Sequence, residues 1–145
     1  MIRQRVFVML VSTVLAVVGS VVPGVPASAA VHCDGNGCNG RKIGDTDCKN
    51  QAYAIAGLAV SPSGQVLGRG DLWFSPTCHA MWGDFTATSG DFYGGIALVT
   101  QPEYGGVNKV VFSEVLHGAG NVTTTLIGWQ QSVQLCGGDA CTAWR

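Results

Sequence analysis

Charged residues are scarce, making up 12% of this 145-residue chain, with eight Lys and Arg against nine Asp and Glu. The basic residues are scattered and form no cluster. Because binding to nucleic acid depends on grouped cations that displace counterions from phosphates, the sequence predicts no nucleic-acid partner. No polybasic stretch is present to hold an anionic membrane surface, so the sequence also predicts no membrane attachment of this kind.

Common catalytic motifs are absent as well. The sequence contains no Gly-x-Ser-x-Gly elbow and no Cys-x-x-Cys redox pair. Glu114 and His117 have the Glu-x-x-His spacing of a di-iron ligand pair, which requires a helix. The sequence predicts a strand there, on which the two side chains point to opposite faces. We therefore expect no catalytic residue, no metal and no cofactor, and a hydrolase built on an unrecognised site remains an alternative.

The first 29 residues have the three parts of a secretory signal peptide. Arg3 and Arg5 precede an apolar run over residues 6–18, and Ala27-Ser28-Ala29 forms an A-x-A cleavage site. The apolar run is shorter than the ~20 residues that a membrane span needs. We expect residues 1–29 to be removed and residues 30–145 to form one secreted domain.

Six cysteines follow the predicted cleavage site: Cys33, Cys38, Cys48, Cys78, Cys136 and Cys141. An even number of cysteines in an exported chain indicates disulfides. Loop length favours pairing Cys33 with Cys38, Cys48 with Cys78, and Cys136 with Cys141, although other pairings remain open. A zinc site is the alternative, but both close pairs have Cys-x4-Cys spacing, whereas structural zinc sites usually contain Cys-x2-Cys pairs.

The early part of the expected domain predicts a loop followed by a hairpin. Residues 33–49 are rich in Gly, Asn and Asp, and form a stapled loop. Apolar runs at Ala52–Val60 and Gln65–Phe74 flank a turn at Ser61–Gly64, which is typical of a β-hairpin. The alanines of the first arm leave a helix open as an alternative. We expect a turn or a short helical piece at Met81–Asp84.

Three later runs, 92–100, 109–117 and 122–134, are rich in β-branched and aromatic residues and are separated by Gly and Asn clusters. This pattern predicts further strands. The sequence therefore predicts a single all-β domain, a small disulfide-stapled barrel or sandwich.

The cysteine frame and the residues after it resemble a family of small secreted actinobacterial proteins known as the domain of unknown function DUF 2690. The residues that carry the resemblance are Cys33, Gly35, Cys38, Gly40, Cys48, Ala52, Leu72, Ser75, Pro76, Cys78 and Trp82, with Cys136, Cys141 and Thr142 near the end. The resemblance implies a secreted β domain and brings no assigned activity. The chain departs from the family at Trp73 and Phe74, where Arg and Tyr are typical.

Exposed tryptophans are the best indication of a contact surface, because aromatic faces recognise carbohydrates and proteins. Trp73 alternates with apolar neighbours on its predicted strand, so either it lies on the outer face or it packs beneath a loop. We expect Trp82 in the core, and Trp73 and Trp129 as the possible contact surface.

These observations favour a non-catalytic binding or structural protein over an enzyme. The expected partner is an extracellular protein or a glycan. An extracellular protease inhibitor is the alternative, since disulfide-rich secreted domains can present a rigid loop to an enzyme. Ser61–Gly64 and Pro102–Val107 are the candidate inhibitory loops.

Overall fold

The computed structural model describes residues 30–61, 64–101 and 106–145. The expected signal peptide, 1–29, lies outside these residues. The described chain contains two short 3-10 helices, Gly35–Cys38 and Ile43–Asp45. Its strands are β1 (Tyr53–Val60), β2 (Gly68–Ser75), β3 (Ala80–Ala87), β4 (Tyr93–Gln101), β5 (Lys109–His117), β6 (Gly120–Thr123), β7 (Ile127–Gly128), β8 (Ser132–Gly137) and β9 (Ala140–Cys141).

The strands form two antiparallel sheets. The first has the order β1-β2-β3-β6, with β7 also paired to β3, and the second has the order β5-β4-β8-β9. The predicted all-β class is confirmed, as is the hairpin that joins β1 to β2. No helix within the described ranges is long and apolar enough to cross a membrane.

The segment around Trp82 is a strand, and the expected turn or helical piece at Met81–Asp84 is wrong. These residues lie in β3, which pairs with β2 along its whole length. β3 is a central strand, buried on both faces, so it shows little of the alternation that marks a half-exposed strand. Gly83, which weakens a strand signal, is required here because a side chain at this position would collide with Leu135 of the opposite sheet.

The main core lies between the two sheets. Inward side chains alternate along the strands, with Leu72 on β2, Phe85 on β3, Leu98 on β4 and Leu135 on β8, all at most 1% exposed. Gly137 on β8 leaves room for the Phe85 ring, since a Cβ there would lie 2.6 Å from Phe85 Cε2. The core is thus filled by a few large side chains that fit against glycines of the facing sheet.

The segment that follows β9 closes one side of the structure. Val133 and Arg145 exchange two backbone hydrogen bonds, of 2.7 and 3.0 Å, so the segment runs beside β8. Arg145 Nε then donates to the carbonyl of Ile55 on β1, at 3.1 Å. One edge of the second sheet is therefore joined to the edge strand of the first.

The N-terminal loop, residues 30–52, covers the outer face of the first sheet. It is tied to the segment around β7, since Gly40 N–H donates to the Leu126 carbonyl and Leu126 N–H donates to the Arg41 carbonyl. Gly128 N–H also donates to Asn39 Oδ1, at 2.7 Å. A second core lies beneath the loop, and it contains Trp82 and the buried Leu126.

The structure contains three disulfides, and they are the three pairs that loop length favours. They join Cys33 to Cys38, Cys48 to Cys78, and Cys136 to Cys141. The first two lie side by side in the second core, and the third joins β8 to β9. The bridges and the described fold are compatible with an oxidising, extracellular setting.

Candidate functional site

The turn between β2 and β3 fixes the first residue of the site, His79. The turn is held by a hydrogen bond from Cys78 N–H to Ser75 Oγ, at 3.2 Å. His79 has a φ of 45°, in the left-handed region that costs a non-glycine residue roughly 1–2 kcal/mol. The backbone of His79 directly follows Cys78, which is joined to Cys48 by a disulfide. The imidazole of His79 is held by Asp34, whose Oδ1 lies 2.7 Å from His79 Nδ1. The imidazole therefore has a defined place on the surface.

Trp129 is held beside this histidine by its backbone and exposes its side chain. It follows β7, and its N–H donates to the His79 carbonyl at 3.0 Å. The two rings lie 5.9 Å apart between centroids, with a tilt of 42°. The Trp129 side chain is still 55% exposed, which is high for a tryptophan and leaves an indole face open to solvent.

Glycine at position 128 allows the loop to approach Trp129. A Cβ on Gly128 would lie 2.6 Å from Asn36 Oδ1 and 2.7 Å from the carbonyl carbon of Gly35. A side chain would therefore push the N-terminal loop away. With glycine present, Asn36 Nδ2 reaches Gln130 Oε1 at 2.6 Å.

A groove of about 700 Å³ opens beside Trp129. Its lining consists of Asn36, Trp129, Gln130, Gln131, Ser132 and Arg145. Three amides, one hydroxyl and one guanidinium thus surround a single exposed indole. This combination offers hydrogen-bond donors and acceptors around an apolar platform.

The two tryptophans expected at a contact surface lie in different settings. Trp129 lines the groove. Trp73 lies on the outer face of β2 but beneath the N-terminal loop, stacked on Trp82 with ring centroids 6.2 Å apart and an interplanar angle of 10°. Its indole Nε1 is buried without a hydrogen-bond partner in the described structure. Trp73 is therefore partly buried against the second core, and Trp82 lies in that core as expected.

The other residues of the groove gave no clear signal in the sequence. Asn36, Gln130, Gln131 and Ser132 are polar residues that belong to no recognisable motif, and Asn36 lies far from the others along the chain. Only the fold brings them together. His79 directly follows Cys78 in the sequence, and the structure places its ring beside Asp34 and Trp129.

The remaining histidines lie elsewhere on the surface. His32 Nδ1 is 3.1 Å from Asp47 Oδ2, and the His117 ring packs edge-on against Tyr93 with centroids 4.6 Å apart. Within the described residues, no serine or threonine hydroxyl is hydrogen-bonded to His32 or His79. The His32–Asp47 pair lies at the surface, where ion pairs contribute little to stability.

No family model matches this chain, and no curated protein or solved structure matches it either.

Proposed function

We propose that this chain is a secreted, non-catalytic binding module that recognises a glycan at the groove beside Trp129. The observation that carries the proposal is the 55% exposed indole, whose backbone is fixed to His79 and whose surroundings are amides and a guanidinium. Sugar rings present an apolar C–H face and many hydroxyl groups. An indole platform edged by amides complements both features.

Hydrogen bonds within and beside the groove favour a preformed binding site. Its two walls are tied together by the Asn36–Gln130 hydrogen bond, and Arg145 is fixed to the Ile55 carbonyl. A preformed site loses little conformational entropy when it binds. The lining contains amides, a hydroxyl, an indole and a guanidinium, none of which is a general base at neutral pH, and His79, whose residue type can act as one, contacts Trp129 but does not line the groove.

Membership of the DUF 2690 family is part of the same proposal. It rests on the Cys33-x4-Cys38-x9-Cys48 frame and on the residues from Leu72 to Trp82. The signal pattern of residues 1–29, which lie outside the described structure, supports secretion in the same way.

The proposal is tested by cosedimentation with insoluble polysaccharides, namely chitin, cellulose and purified peptidoglycan. We expect the protein to sediment with at least one of them. Trp129→Ala should weaken binding roughly tenfold, because removing an indole face that the ligand covers costs about 1.4 kcal/mol or more. Tyr93→Ala is the matched control, since Tyr93 is 73% exposed and does not line the groove.

Two results would contradict the proposal: no binding to any of these polysaccharides, or equal binding by Trp129→Ala and the parent protein. Inhibition of a secreted protease that survives Trp129→Ala would favour the inhibitor alternative. The candidate inhibitory loops include residues 62–63 and 102–105, which lie outside the described structure. Hydrolysis of a glycan, ester or peptide substrate would favour the hydrolase alternative.

A further inference from the structure

Two disulfides meet in the second core and bring four sulfur atoms together. The four-sulfur cluster consists of Cys33, Cys38, Cys48 and Cys78, whose Sγ atoms all lie within 4.8 Å of one another. Two sulfurs from different bridges, Cys33 Sγ and Cys48 Sγ, are 3.5 Å apart. The sequence does not predict that these four sulfurs lie together, because the spacing of the cysteines differs from that of common zinc sites.

The size of the cluster suits a tetrahedral metal ion. Zinc binds thiolates at about 2.3 Å, which places the sulfurs of a tetrahedral site about 3.8 Å apart. Sulfurs of different bridges already lie within 4.8 Å of one another, and the two sulfurs of each bridge move apart to this spacing once the bridge is open. Within each pair the Cα atoms are 5.2 and 5.4 Å apart, so both members of a pair can face one ion.

The surroundings of the cluster also suit a closed structural site. Cys38, Cys48 and Cys78 are fully buried and Cys33 is 7% exposed. Apolar neighbours, including Trp82 and Leu126, surround the sulfurs. A structural zinc site is likewise closed to water, with four protein ligands and no open position.

We propose that the four-sulfur cluster, when reduced, binds one Zn²⁺ ion through four thiolates. A dithiol reductant of the kind found in reducing compartments would open the bridges. Each bridge takes up two electrons and two protons, so two dithiols are oxidised to disulfides and four thiols form. Binding of Zn²⁺ then displaces four protons, because thiolates are the ligands. The cluster thus has an oxidised form with two bridges and a reduced form with one metal ion.

A second possible ligand set shares one residue with the cluster. His32 and Asp47 lie near Cys78, and Asp47 Oδ1 is 3.6 Å from Cys78 Sγ. His32 is exposed and Asp47 is half-buried, so these side chains would bind a metal ion at the surface of the loop. The four thiolates provide the more buried and chemically softer site, which zinc favours. The test must separate the two sets.

The experiment uses the protein reduced by a phosphine, freed of reductant and kept without oxygen. Titration with Co²⁺ should give one ion per chain, with the visible bands of tetrahedral cobalt bound to thiolates, and Zn²⁺ should displace it. Zinc should also restore the near-ultraviolet circular dichroism and the cooperative thermal transition of the reduced chain. This second readout separates a folded site from metal ions held by an unfolded chain.

Substituted variants identify the residues that bind the metal ion. Replacing a residue that merely supports a ligand lowers metal affinity roughly 10–100-fold, so Cys38→Ser, which removes a ligand, should lower it by at least about 100-fold. Cys141→Ser is the matched control and should bind as the parent does, because Cys141 is exposed and lies outside the cluster. Asp47→Asn should also retain binding.

Three results would overturn the proposal. The first is a reduced chain that gives no tetrahedral thiolate spectrum or does not refold with zinc. The second is equal affinity in Cys38→Ser and the parent. The third is loss of binding in Asp47→Asn, which would assign the metal to the set that contains His32.

Discussion

Removing the Cys48–Cys78 bridge should destabilise the protein far more than removing the Cys136–Cys141 bridge. The sequence separations are 30 and 5 residues. In the chain-entropy model, closing the longer loop stabilises the fold by about 3.5 kcal/mol and closing the shorter one by about 2 kcal/mol. Cys48 and Cys78 are also fully buried, so their truncation to alanine adds a cavity cost of about 1 kcal/mol.

The test compares two double variants, Cys48→Ala with Cys78→Ala, and Cys136→Ala with Cys141→Ala. Double replacement is needed because a single substitution leaves a thiol within 4.8 Å of the neighbouring bridge, where it can attack that bridge. At about 4 °C per kcal/mol, the expected losses in melting temperature are about 18 °C and about 8 °C.

Melting temperatures are measured by circular dichroism without reductant. A peptide map of the unreduced variants confirms that the two remaining bridges are intact. An equal or larger loss in the Cys136/Cys141 variant would refute the reasoning, because loop length and burial would then not determine the contribution of each bridge.

Two further predictions concern the main core. Gly137→Ala should lower the free energy of unfolding by about 1–3 kcal/mol in urea titrations, because the new methyl group would meet the buried Phe85 ring. Gly95→Ala is the control and should have a much smaller effect, because the space around Gly95 is open. Similar losses in the two variants would contradict this reasoning. Thr124→Val should lower the free energy of unfolding by about 1–3 kcal/mol in the same titrations. Gly83 N–H donates to Thr124 Oγ1 at 2.9 Å, and the valine variant leaves this buried N–H without an acceptor. Thr124→Ser keeps the hydroxyl, so it should lower the free energy of unfolding less. A decrease as large as that of the valine variant would show that the methyl group matters more than the hydrogen bond.

The all-β class and the hairpin could be predicted because they depend on local patterns. Ala52–Val60 and Gln65–Phe74 are apolar runs on either side of a turn, and antiparallel neighbours of this kind pair with each other. The pattern of residues 122–134 predicts one strand, whereas the structure has three strands in this part of the chain. β6 and β7 both pair with β3, and β8 pairs with β4, so the chain changes sheet within this run, and no local pattern reports such a change.

The candidate site was much less predictable than the fold. An exposed tryptophan could be proposed from the sequence, but the choice between Trp73 and Trp129 depends on what covers each of them. The loop that covers Trp73 is polar and could not be assigned to that face of the sheet from its composition. Asn36 and Arg145 come from opposite ends of the described chain, so the groove depends on tertiary contacts that the sequence does not display.

The docking of the N-terminal loop has a consequence for the order of folding. Its contacts with the segment around β7 are highly non-local, since Asn39 and Gly128 are 89 positions apart. Such contacts form only after a long loop has closed, which costs chain entropy before any contact stabilises the structure, and they therefore slow folding. The β1–β2 and β4–β5 hairpins are local, and we expect them to form before the loop docks. Since the loop supplies Asn36 to the groove, the groove would be completed only in the last stage of folding.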